Sequence, residues 1–255
     1  MKIKIAARVD KGARPYNDDR AMIGDEIVYS GLDETTVRTP ALAVVCDGCG
    51  GYQGGGVAAE TALAVLRREK ETLLNGDEAA VERVFQQVER EIDARKAADP
   101  ALSSMCSTVV GCVFREDAVL FFHAGDSRCY RCDSYGMAKM TVDHSLVQEM
   151  VDLGRLTEEE ALVHPRRNVI TRCLGIHGVA PEVHVAGEPI WEEETYLLCS
   201  DGFWEAVPPA QVRDVLSEDL TLQEKADRLV DLAIELGSDD NVTVCLCQRL
   251  PEGEN

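Results

Sequence analysis

Nowhere in its 255 residues does the chain approach the ~20 consecutive apolar residues that a membrane-crossing helix needs. The opening Met1-Lys2-Ile3-Lys4-Ile5 alternates charged and apolar side chains, where a secretory leader carries a continuous apolar stretch of about 7–15 residues. A Ser/Gly/Pro-rich linker, a break in composition, an internal repeat and a low-complexity tract are all missing, and a single core can grow to about 250–300 residues before chains split. These absences lead us to expect a cytoplasmic protein with one catalytic domain over residues 1–250 and a short tail, 251–255. Basic side chains are scarce too: 26 Lys and Arg stand against 46 Asp and Glu, a formal net charge of −20. That charge repels phosphate backbones and anionic head groups, so the expected partners include no nucleic acid and no membrane.

Cysteine, in contrast, is abundant. The ten thiols include two Cys-x-x-Cys pairs, Cys46/Cys49 and Cys129/Cys132, which raise the question of zinc. About 80 residues separate the pairs, against about 15–20 in a zinc ribbon. Most of the cysteines sit in apolar runs such as Leu197-Leu198-Cys199 and Val244-Cys245-Leu246-Cys247, where a reduced thiol packs as a small hydrophobe. The expectation is buried thiols and no structural zinc.

Hydrophobic periodicity orders the chain. Apolar β-rich runs at 3–9, 27–29 and 41–46 precede two helical patterns, 54–74 and 77–96. In the second, Asp77 is a candidate cap and Val81, Val84, Phe85, Val88 and Ile92 form one apolar stripe. Short strands follow at 107–114, 119–124 and 128–132, separated by charged or glycine-containing turns as in an antiparallel meander. A helix at 145–153, a capping box at Thr157-Glu158-Glu159-Glu160, a strand at 195–199, a helix opened by Pro208-Pro209 and a second capping box at Thr221-Leu222-Gln223-Glu224 complete the pattern. Strand pairs followed by helix pairs do not fit βαβ alternation, so the expected class is α+β, two packed sheets with helices outside.

The chemistry is concentrated in aspartates. Four segments end an apolar run on an aspartate or set one beside glycine: residues 43–48 around Asp47-Gly48, 121–126 ending at Gly125-Asp126, 197–202 around Asp201-Gly202, and 237–242 around Asp239-Asp240. Asn17-Asp18-Asp19 makes a fifth acidic group. A lone Asp-Gly usually marks a turn. Five such groups carry a different implication, because strand ends deliver side chains to the rim of a sheet, and converging carboxylates cannot all stay ionised without cations. Hard oxygen donors without partner imidazoles favour Mg²⁺ or Mn²⁺ over zinc. A carboxylate-held ion pair suits hydrolysis of phosphate esters, and Arg14 is the candidate guanidinium fork for the phosphate, although an arginine there, taken alone, is an ordinary surface residue.

Taken together and in order, these segments resemble the metal-dependent protein phosphatases, the type-2C or PPM serine/threonine family, in its bacterial form, from about Val9 to Leu246. The resemblance implies an α-β-β-α sandwich of two antiparallel sheets flanked by helices. In Gly12-x-Arg14-x-x-Asn17-Asp18-Asp19 it implies that Arg14 binds the phosphate and that Asp18 and Asp19 hold metal-bound waters, with Asp18 in place of the usual glutamate. It implies that Asp47 bridges two Mn²⁺ or Mg²⁺ ions, that the Gly48 carbonyl binds one, that Asp201 and Asp240 are further ligands, and that Asp126 holds a third, weaker ion. Residues 143–145 with 168–175 resemble the flap and return strand of bacterial members, where His144 is structural. Cys49 stands where animal members carry histidine and bacterial ones methionine, which makes it a pocket neighbour, and Tyr52 stands where bacterial members often carry histidine. The implied function is hydrolysis of phosphoserine and phosphothreonine in proteins by a metal-bridging hydroxide, opposed by a cognate serine/threonine kinase. The residues themselves also admit a hydrolase of small phosphoesters or a non-catalytic metal- or phosphate-sensing module.

Overall fold

The computed structural model describes residues 1–49, 54–176, 180–192 and 194–251. Its elements are β1 (Lys2–Asp10), β2 (Arg20–Ile23), β3 (Glu26–Val28), β4 (Gly31–Arg38), β5 (Ala41–Cys46), β6 (Gly48–Cys49), α1 (Gly54–Arg68), α2 (Lys70–Asn75), α3 (Glu78–Ala98), β7 (Cys106–Ser107), β8 (Val109–Phe114), β9 (Val119–Ala124), β10 (Arg128–Cys132), β11 (Met137–Lys139), α4 (Leu146–Asp152), α5 (Glu158–Leu162), β12 (Glu182–Ala186), β13 (Thr195–Cys199), α6 (Asp201–Trp204), α7 (Pro209–Ser217), α8 (Leu222–Glu235) and β14 (Val242–Arg249), with one 3₁₀ turn at Pro100–Leu102.

Two six-stranded antiparallel sheets, ordered β11-β10-β13-β14-β1-β4 and β12-β9-β8-β5-β2-β3, stack face to face. Period-2 alternation in the strands builds the layers. In β5, Ala41, Ala43 and Val45 join Ile3, Ile5, Ala7 and Val9 of β1 in the core between the sheets. Leu42, Val44 and Cys46 face the other way, onto α1 and α3 with Ala62, Leu66, Val81 and Phe85. On the opposite side, Val242, Val244 and Leu246 of β14 pack against Ala226, Leu229 and Val230 of α8. Burying each strand on both faces explains why the central strands read as nearly continuous apolar runs. The result is the expected helix–sheet–sheet–helix sandwich.

The caps act as the sequence predicts. Asp77 accepts from the Ala80 N–H, and Thr157 and Thr221 each form a complete capping box with Glu160 and Glu224. Elsewhere the structure corrects the pattern. The helix expected over 54–74 is two helices with a turn at Glu69, which still brings Leu73 and Leu74 into the same core as Val65 and Leu66. The expected meander is broken after β9: β10 leaves β8 and β9 and pairs with β13 in the other sheet. Gly125, at φ +121°, makes that corner in a left-handed region where an added Cβ would also sit 2.6 Å from Thr108 Cβ. Strand β4 has no apolar alternation because it is a half-exposed edge, yet it pairs with β1 along its length. The return strand expected over 168–175 is reduced to isolated bridges, Ser145 with Ile170 and Ser107 with Leu174.

Candidate active site

All five acidic segments arrive at one edge of the sandwich, because antiparallel pairing places their strand ends at the same level. Arg20 of β2 is opposite Cys46 of β5, so Asp19 and Asp47 leave adjacent strands together. Cys199 of β13 is opposite Val244 of β14, and the Ser200 N–H continues the ladder to the Thr243 carbonyl at 3.2 Å, placing Asp201 beside residues 239–241. Asp126 follows β9 at the Gly125 corner.

Asp19 is fully buried, and its Oδ2 accepts from Ser200 Oγ at 2.7 Å. Burial first, then the charges of Asp201 and Asp240, raises its pKa from 3.8 to about 7. Asp47 is pushed well above the usual carboxylate range by burial and by Asp19, Asp201, Asp126 and Asp240. Asp126 rises to about 8, through burial and then Asp201 and Asp143, and Asp201 to about 6, through burial, Asp240 and Glu205. Asp19 Oδ1 and Asp126 Oδ1 are buried with no hydrogen-bond partner among the described residues. Among the described residues, Arg14 is the cation that forms an ion pair with a carboxylate of this cluster, Asp240, at 2.7 Å on the rim. No three carboxylates bring ligand oxygens within 4.8 Å of one another among the described residues, so the cluster is broader than a single-ion cage. Orphaned buried oxygens, mutual repulsion, an all-oxygen donor set and a broad spread fit a pair of hard divalent cations, which sit about 3.5–4 Å apart in two-metal sites.

The remaining candidates are distributed around this core. Asp18 turns away from it: its Oδ1 accepts from the Gly56 N–H at 2.8 Å in the first turn of α1. Gly48 packs against the same turn so closely that a Cβ would lie 2.2 Å from the Gly55 carbonyl, and a Cβ on Gly55 would lie 2.4 Å from the Gly48 carbonyl oxygen. Arg14 is half exposed and donates from Nε to the Asp239 carbonyl at 2.9 Å as well as to Asp240. Cys49 lies in β6, directly after Gly48, but points at Cys106, with the two sulfurs 2.6 Å apart. Tyr52 lies outside the described residues.

Three positioning residues went unassigned in the sequence. Asn241 receives the Asp18 N–H on Oδ1 and donates from Nδ2 to the carbonyls of Lys11 and Tyr16, pinning the loop that carries Arg14. Ser200 holds Asp19 while accepting from the Thr243 N–H at 3.0 Å. Thr108 Oγ1 accepts from the Asp47 N–H, and the Thr108 N–H donates to the Asp47 carbonyl. Asn241 and Ser200 carried one signal, their position beside Asp240 and Asp201; Thr108 carried none. Their partners lie up to 230 residues away in sequence, and nothing local shows them.

A family profile described as Protein phosphatase 2C matches residues 19–242. The chain belongs to that family. The serine/threonine phosphatase Stp of Listeria innocua is 34% identical over 248 residues, covering 95% of this chain and 94% of that protein. Among solved structures, the Mycobacterium tuberculosis serine/threonine phosphatase PstP superposes with a TM-score of 0.83 at 31% identity, covering 97% of this chain and 99% of that one. The PstP catalytic domain in complex with two manganese ions gives 0.80 at 30% identity, with the same coverages. The Protein phosphatase 2C match begins at Asp19, so Arg14 and Asp18 lie ahead of it, held to the rest of the family core by Asn241.

In this Protein phosphatase 2C chain, His144 ties the segment before α4 to the corner after β9. Its N–H donates to the Gly125 carbonyl at 2.9 Å, and its Nδ1 accepts from the Gly125 N–H at 3.2 Å. Burial, above all, lowers its pKa, and the hydrogen bond to Glu182 only partly offsets this. These contacts are to backbone and to Glu182.

Proposed function

We propose that this chain is a metal-dependent protein serine/threonine phosphatase that hydrolyses phosphoserine and phosphothreonine monoesters. The observation that carries the reading is the cluster of Asp19, Asp47, Asp126 and Asp201, buried together on a Protein phosphatase 2C scaffold and each with a raised pKa. The two manganese ions in the PstP complex support Mn²⁺ as the ion, with Mg²⁺ the chemical alternative. When bound, such ions acidify a water and neutralise phosphoryl oxygens.

In this proposal Asp47, Asp201 and Asp240 hold two ions, the Gly48 carbonyl contributes to one, and Asp126 serves a third, weaker ion. Asp19, kept in place by Ser200, orients water at the site. Asp18 acts through structure, fixing the α1 N-terminus beside Gly48. Arg14 meets the phosphate by swinging from Asp240, within reach of a half-exposed side chain. The domain is read as one unit over residues 1–250, supported by β14 pairing with β1 between residues 3 and 249; of the tail, residues 252–255 lie outside the described set. An opposing serine/threonine kinase and a cytoplasmic location belong to the same proposal. All ten cysteines are free, which suits a reducing compartment, and no helix of the described residues is long and apolar enough to cross a membrane.

The test is hydrolysis of a phosphothreonine peptide with Mn²⁺, with and without chelator, beside a nucleotide monophosphate. Metal-dependent turnover of the peptide in preference to the nucleotide is expected. Turnover that survives chelation, or that is confined to the nucleotide, would overturn the reading.

A further inference from the structure

Cys49, Cys106 and Cys173 come from three separate stretches of sequence, and backbone pairing brings their sulfurs together. Cys49 is directly opposite Cys106 across β6 and β7, so both side chains share one face. The Ser107–Leu174 bridge, closed by reciprocal hydrogen bonds of 3.1 and 2.8 Å, sets Cys173 diagonally opposite Cys106 on that face. The three sulfurs lie within 4.8 Å of one another. Cys173 is buried and the other two are half-buried.

Among the described residues the group holds three soft donors and no carboxylate or imidazole, which selects a thiophilic ion, whereas Mn²⁺ and Mg²⁺ prefer the oxygen cluster. A tetrahedral zinc ion at about 2.3 Å from each thiolate spaces its sulfurs about 3.8 Å apart, so binding requires Cys49 and Cys106, whose sulfurs are 2.6 Å apart, to open by rotation about their side-chain bonds. A Cys49–Cys106 disulfide would use two sulfurs and leave Cys173 without a part; convergence of all three is the metal pattern. We propose that Cys49, Cys106 and Cys173 form a three-thiolate zinc site, separate from the carboxylate centre, with its fourth position open to water. Binding releases one proton from each cysteine that enters as a thiol. The site is coupled to the carboxylates through the backbone, since Ser107 Oγ and the Thr108 N–H both donate to the Asp47 carbonyl, at 3.0 and 2.8 Å. A second compact group, His123, His144 and Glu182, does not offer the same: its imidazoles are stacked 4.5 Å apart and 12° from parallel, so their in-plane lone pairs do not converge on one ion.

The experiment uses the full chain, reduced and kept in excess Mn²⁺ so that the carboxylates are filled. Zn²⁺ is titrated against a chromogenic chelator, and Cd²⁺ is then used for its ultraviolet thiolate-to-metal charge-transfer band. One equivalent of Zn²⁺ that Mn²⁺ does not displace, with a strong Cd²⁺ band, is expected. Cys106→Ser and Cys173→Ser, each checked for folding by circular dichroism, weaken Zn²⁺ at least about tenfold, because loss of an outer-shell partner alone costs that much. The Cd²⁺ band on the unmutated protein decides the matter even if a variant fails to fold. No band in the reduced protein overturns the site, as does unchanged Zn²⁺ affinity in both folded variants. Finding Cys49 joined to Cys106 in a protein whose reduced form takes up no Zn²⁺ replaces it with a redox pair. None of these readouts depends on phosphatase activity.

Discussion

Arg128 with Asp143, and Asp126 with its neighbours, are two ways of burying charge within a few residues of each other. The first is internally complete. Arg128 donates from Nε to Asp143 Oδ1 at 2.9 Å and from a terminal nitrogen to Oδ2 at 2.5 Å, while its guanidinium lies 3.3 Å from the Trp204 ring centroid. Burial alone would lower the Arg128 pKa, but the Asp143 hydrogen bonds and charge reverse the sign. The second is incomplete. Asp126 Oδ1 has no partner among the described residues, and burial with Asp201 and Asp143 raises its pKa to about 8. The same fold can therefore satisfy a buried carboxylate with its own cation and, one turn away, leaves a group of them for an ion from outside.

The strongest way to break that comparison is Asp47→Asn. Mn²⁺-dependent hydrolysis of p-nitrophenyl phosphate is expected to fall by about 10³-fold or more, in the range lost when preorganised electrostatic stabilisation is removed. In chelator the same variant is expected to resist urea better than the parent, because Asn carries neither the charge nor the protonation cost that burial and the neighbouring aspartates impose on Asp47. A folded variant with near-parent turnover would show that the metal centre lies elsewhere.

Asp143→Asn should act on stability. Removing one partner of a buried pair costs about 3–5 kcal/mol, read as a lower urea midpoint in chelator. A loss no larger than that of an exposed pair would show that the Arg128 fork is ordinary surface chemistry.

The pH dependence sharpens the contrast. The folded-state pKa values of Asp19, Asp126 and Asp201, about 7, 8 and 6, lie above the unfolded value of 3.8, so between those limits the folded state binds more protons than the unfolded state. Stability of the metal-free protein is therefore expected to fall as pH rises from about 4 to about 8. Mn²⁺ should flatten the slope, since it replaces those protons. A metal-free stability that rises across the window in urea titrations would contradict the raised values.

Arg14→Ala is the smallest effect. A half-exposed arginine that forks to phosphate is expected to contribute about tenfold in kcat/KM, with metal binding retained. An unchanged kcat/KM would remove Arg14 from the site.

Much of the fold was legible because its signals are local. The apolar runs of β5, β8, β9, β13 and β14, the stripe on α3 and the two capping boxes each need only a few neighbouring residues to be read. Strand β4 was not legible, since an edge strand of Asp33-Glu34-Thr35-Thr36 lacks the buried face that makes a period visible. The cysteines show the same limit: Cys-x-x-Cys spacing drew attention to Cys46 and Cys129, which pack as hydrophobes in two different cores, while Cys106 and Cys173 carried no spacing signal.

By itself the sequence determined the layers, the helix caps and the set of aspartates that strand ends would carry, because period and capping are properties of neighbouring residues. Tertiary structure alone decided which aspartates meet, that Asp18 faces a helix while Asp19 faces the cluster, that Asn241 holds the Arg14 loop, and that three thiols converge. Each of those depends on strand register or on contact between distant segments, and register is set by long-range pairing that side-chain periodicity, having no memory of its partner, does not encode.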